Sequence, residues 1–106
     1  MLKKENRLTT KEFDEVFKKG QKKFSKNFLF VKKENQDSLK ISVSISKKIY
    51  KKAVLRNQAR RKIYTLIQEN FSKIPKNFWA TLIITKPILD LENEKLKKEI
   101  IWLLNQ

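Results

Sequence analysis

The sequence predicts an α+β fold: a single small domain over residues 1–106, its elements in the order α-β-β-α-β-α, its sheet packed against helices with one cleft face open. Three observations carry that expectation. Apolar residues recur at three- and four-residue spacing in three stretches, which marks helices. They alternate with polar residues in LKISVSIS, which marks a half-buried strand. A chain of 106 residues buries one modest core, and this one shows no internal repeat or compositional break.

The first helix opens at Thr9. Glu12 stands three residues on, so each side chain can satisfy the other's free backbone N–H, and Leu8 and Phe13 are spaced as a hydrophobic staple. Phe13, Val16 and Phe17 form its apolar face, and Gly20 is expected to end it in a left-handed conformation. In the strand FLFV, Phe28 and Phe30 point one way, Leu29 and Val31 the other. In the next strand Leu39, Ile41, Val43 and Ile45 share a face, and the polar KKENQDS between the two suits a hairpin. A long helix over 53–71 carries Leu55, Ala59, Ile63, Leu66, Ile67 and Phe71 as its core stripe. FWATLIIT, residues 78–85, reads as the central strand and stops near Pro87. A last helix begins within 90–93 and turns Leu96, Ile100, Leu103 and Leu104 inward, and there is room for a short extra strand near 22–24.

Charge dominates the composition. Twenty-six Lys and Arg against 11 Asp and Glu leave a formal charge of +15 and a pI of about 10.1. Self-repulsion on that scale calls for a polyanionic partner, nucleic acid ahead of an anionic membrane surface. The chain contains no His, the commonest general base and metal ligand, no Cys and a single Gly. Phosphate-binding glycine loops are thereby excluded, and neither a catalytic residue nor a protein-held metal is expected. No apolar run approaches the roughly 18 residues of a membrane span. MLKKENRL lacks the apolar core of a secretory signal, and with no cysteine there is no disulfide framework, so a cytoplasmic setting is expected.

The cations concentrate in KKAVLRNQARRKIY, residues 51–64. On a helix, Lys52, Arg56 and Arg60 line up at intervals of four beside the core stripe, and Asn57 and Arg61 form a second row. Lys47 and Lys48 close the preceding strand, and Lys51 opens the helix with Lys52. Arg binds phosphate through paired donors, and Asn reaches both donors and acceptors on sugars and bases. Such a row can also be a merely solvated face.

The run SVSISKKIYKKAVLRNQARR resembles the protein subunit of bacterial ribonuclease P, with its S-K-K strand end followed by A-V-x-R-N-R-x-K-R. Asn6, Arg7, Leu8, Phe13, Val16, Phe17 and Gly20 match that family's opening. Gln58 replaces its second Arg, Arg60 and Arg61 its K-R pair, and Tyr64 a later Arg.

The resemblance implies an accessory subunit of an RNA-based endoribonuclease, inactive alone, in a holoenzyme that removes the 5′ leader of precursor tRNA. Its partners would be the catalytic RNA and precursor tRNA, with no protein partner required and with Mg²⁺ held mainly by the RNA. Lys47, Lys48, Lys51, Lys52, Arg56, Asn57, Gln58, Arg60 and Arg61 would bind RNA. Phe13 and Phe17, with Leu29 and Val31 facing them, would hold the leader. Read from spacing alone, the two phenylalanines suit a core as well as a cleft. Two rivals share the charge: a ribosomal or assembly protein that neutralises rRNA, and a small basic ribonuclease acting through Tyr50 or Tyr64.

Overall fold

The computed structural model describes residues 4–106. Among them, a 3-10 turn at Lys4–Asn6 precedes α1 (Thr10–Lys19), β1 (Gln21–Phe24), β2 (Phe28–Glu34), β3 (Lys40–Ile45), α2 (Ala53–Glu69), β4 (Phe78–Ile84) and α3 (Asn93–Leu104). The short extra strand is β1. Residue 71, expected inside the long helix, belongs to a separate 3-10 turn, Phe71–Lys73, after the helix ends at Glu69.

The sheet runs β1-β2-β4-β3, antiparallel except for the parallel β3–β4 pair. The expected hairpin between β2 and β3 is therefore absent, because β4 lies between them. Both faces of β4 are largely covered, and its apolar run gains most from the central place. The segment after β2 is drawn to β4 as well: Asn35 turns at φ 63° and Gln36 N–H bonds the Asn77 carbonyl at 3.0 Å. The hairpin actually formed joins β1 and β2, and α2 is the crossover that parallel strands require.

One face of the sheet holds the core. Phe28 and Phe30 of β2, Ile41 and Val43 of β3, and Phe78, Ala80, Leu82 and Ile84 of β4 pack against Ala59, Ile63 and Ile67 of α2. Leu96, Ile100, Leu103 and Leu104 of α3 close the same core. Burying each such aliphatic side chain contributes about 1.5–3 kcal/mol, so the packing rather than helix propensity holds α3 in place.

Helix α1 lies on the other face. Its Thr9–Glu12 capping box forms as expected, with Thr9 Oγ1 accepting from Glu12 N at 3.2 Å and Glu12 Oε1 accepting from Thr9 N at 2.9 Å. Val16 is its buried contact, and ion pairs of Glu12 with Lys40 (2.6 Å) and Glu15 with Lys33 (3.2 Å) tie it to β3 and β2. Gly20 ends the helix in an extended conformation, φ −77°, and not the left-handed one expected. Glycine stands there for space. A Cβ would lie 2.6 Å from the Val16 carbonyl oxygen and 2.9 Å from both the Lys32 oxygen and Val31 Cγ1.

Candidate nucleic-acid interface

The period-2 alternation of β2, β3 and β4 leaves a second face opposite the core. On it, Lys33, Trp79 and Lys40 form one cross-strand row, and Lys22, Val31, Thr81 and Ser42 form the next. Helix α1 covers these rows, and Ser42 Oγ donates to Thr81 Oγ1 at 2.9 Å beneath it. A third row, Phe24, Leu29, Ile83 and Ser44, lies beyond the helix on the same face. None of its members is fully buried.

Phe13 and Phe17 stack on one another along α1, ring centres 6.0 Å apart and 19° from parallel. Phe13 is half-buried and Phe17 is 38% exposed, so these rings belong to the open face and not to the core cluster. Lys22 Nζ sits 4.8 Å from the Phe17 ring centre. Of the facing residues, Leu29 is half-buried, whereas Val31 is fully buried beneath Gly20 and offers packing in place of surface.

The basic segment follows β3 directly. Lys47, Lys48, Lys51 and Lys52 are all exposed on the turns before α2, and Asn57, Gln58 and Arg61 are exposed along it. Arg56 and Arg60 are only half-exposed. Arg56 Nη1 donates to the Tyr50 and Lys51 carbonyls at 3.0 and 2.7 Å, so its guanidinium folds the preceding loop onto the helix. Arg60 donates to Asn57 Oδ1. Gln58 and Arg61 border a groove with Leu89 and Asn93 across from them, and Lys62 Nζ donates to the Ile88, Leu89 and Leu91 carbonyls at that groove's rim.

Both tyrosines prove structural. Tyr50 Oη accepts the Ile88 and Leu89 N–H groups at 3.1 Å, and Tyr64 Oη accepts the Val43 N–H at 3.0 Å on the edge strand. Both hydroxyls are committed as acceptors to backbone N–H groups and so help to fix the fold. Asn6 Nδ2 adds a bond of 2.9 Å to the Leu39 carbonyl, at the start of the same edge strand. Three carboxylates are likewise engaged: Glu12 and Glu15 by lysines, Glu99 by Asn27 and Ser25. Among the described residues no group of three or more His, Cys, Asp or Glu is placed to hold a metal ion.

A sequence model of the ribonuclease P protein family matches residues 2–106. The chain belongs to the ribonuclease P protein family. It is 37% identical over 102 residues to the ribonuclease P protein component of Bacillus pumilus, covering 93% of this chain and 85% of that one. The corresponding protein of Bacillus mycoides is 38% identical over 103 residues, covering 94% and 89%. In fold it is similar to the RNase P protein of Thermotoga maritima, with a TM-score of 0.82 at 22% identity over 92% of this chain and 94% of that one. The Staphylococcus aureus RNase P protein superposes with a TM-score of 0.78 at 24% identity, covering 94% and 93%. As a ribonuclease P protein, this chain is an accessory subunit of an endoribonuclease ribonucleoprotein that acts in tRNA processing, and its partner is the ribonuclease P RNA. Among the described residues no helix is long and apolar enough to cross a membrane.

Alternation in LKISVSIS already puts Ser44 opposite the buried side of its strand, but Phe24 and Ile83 were not anticipated on this face. A signal existed for Ile83, which falls on the off-core parity of its strand. Phe24 had none, because a four-residue strand carries too little alternation to fix a face.

Proposed function

We propose that the chain holds the single-stranded 5′ leader of precursor tRNA on its open sheet face while its basic segment binds the ribonuclease P RNA, in the cytoplasm. One observation carries this reading: the stacked Phe13–Phe17 pair on the open face lies on the same small domain as the exposed Lys47, Lys48, Lys51, Lys52 and Arg61. Base–aromatic stacking contributes about 1–3 kcal/mol per base and tolerates any leader sequence. Lys47, Lys48, Lys51, Lys52, Asn57, Gln58, Arg60 and Arg61 supply contacts to RNA, and Arg56 supports them by shaping the loop. Gln58, uncharged, serves as a hydrogen-bonding contact beside Arg61. Leu29 contributes apolar floor, and Val31 sets the height of α1 above it.

The protein neutralises phosphate charge and captures substrate, and hydrolysis belongs to the RNA with its Mg²⁺ ions. No protein partner is required for this. Reconstitution with a bacterial ribonuclease P RNA at low Mg²⁺ tests the reading. Added protein should restore precursor cleavage, and protein alone should leave the precursor intact. Cleavage by RNA-free protein, or no gain on adding it to the RNA, would overturn the proposal.

A further inference from the structure

The third row of the open face has a course of its own. Phe24, Leu29, Ile83 and Ser44 are direct cross-strand neighbours, so they form a line perpendicular to the strands across the whole sheet. Three inter-strand gaps make it about 14 Å long. At one end, β3 leads from Ser44 into the exposed Lys47 and Lys48. At the other, Phe24 is 71% exposed on the edge strand, with Lys22 beside it on the same face and exposed Lys26 in the following turn. That turn is fixed from behind: Glu99 of α3 accepts from the Asn27 backbone N–H and side-chain amide at 2.8 Å each, and from the Ser25 hydroxyl. An exposed ring at the end of a rigid hairpin, between two cations, has the chemistry of a stacking platform for single-stranded nucleic acid.

We propose that single-stranded leader RNA crosses the sheet along this row, from Lys47 and Lys48 to Phe24, and that Phe24 stacks on a base far from the cleavage junction. The direction follows from the basic segment at the β3 end, which keeps the junction close to the catalytic RNA. This inference rests on the leader reading above, and it adds a residue and an orientation to it.

The test measures affinity of the reconstituted holoenzyme for precursor tRNAs carrying a minimal or a long leader. Phe24→Ala and Phe24→Leu should weaken binding of the long-leader precursor about five- to tenfold and leave the minimal one unchanged, and Phe24→Tyr should retain affinity. A loss of the same size on both precursors would overturn the inference, because it would place Phe24 outside the distal leader path. Wild-type affinity in Phe24→Leu would remove stacking as its role. If Phe17→Ala loses leader-dependent affinity while Phe24→Ala does not, the leader is held but never reaches β1. If neither variant loses it, the leader reading fails as a whole.

Discussion

Arg56 shows how one side chain can look functional in a sequence and act through structure. It sits in the basic row, yet its donors reach the Tyr50 and Lys51 carbonyls, where they satisfy backbone groups ahead of α2. Tyr64, standing where the family pattern has an Arg, does similar work by capping the Val43 N–H of the edge strand. Glu12 is a clearer case, because the Thr9–Glu12 spacing announced its cap but nothing local announced Lys40. The Lys40 ammonium, and after it the Thr9 backbone N–H, hold the Glu12 carboxyl below its ordinary value of 4.5. A depressed carboxylate contributes stability that is fully present above the unfolded value and is lost as pH falls through the folded one. The melting temperature of the wild type should therefore drop more steeply below pH 4.5 than that of Glu12→Gln, whose profile should be flatter. Parallel profiles would mean that the pair adds nothing to stability.

Among elements, α1 and the sheet differ in how far local sequence could specify them. The capping box and the apolar face of α1 were both legible, since each depends on residues within one or two turns. Its ending at Gly20 was legible too, but not the conformation there, because Gly20 answers to β2: the carbonyl of Lys32 and the side chain of Val31 occupy the space a Cβ needs. Gly20→Ala should cost about 1–3 kcal/mol in urea unfolding, as overpacking against backbone atoms does. A neutral result would show that α1 shifts freely on the sheet. The faces of β2 and β3 are those their alternation predicts, yet the β2–β3 hairpin is not formed. Alternation fixes which side of a strand is buried, and says nothing of which strand lies next to it.

For the molecule as a whole, a charge of +15 on 106 residues calls for a polyanionic partner, which the ribonuclease P RNA supplies. Affinity for the catalytic RNA should fall with added salt as counterions are released. In the double variant Arg60→Ala, Arg61→Ala, the slope of log K against log salt should become shallower by about 0.7–0.9 for each phosphate that is no longer neutralised. An unchanged slope would take this part of α2 out of the RNA interface. The exposed lysines 47, 48, 51 and 52 would then bind the RNA alone.

By itself the sequence determined the helices, the faces of β2 and β3, the net charge and the class of partner, because each follows from spacing or composition. It also placed FWATLIIT at the centre of the sheet, the site its apolar run favours. Only the tertiary structure decided that β4 separates β2 from β3, that Val31 is covered while Leu29 is partly open, and that Phe24 joins Leu29, Ile83 and Ser44 in one row. The physical reason is common to all three. Strand order and cover are settled by long-range competition for burial, in which residues distant along the chain become neighbours.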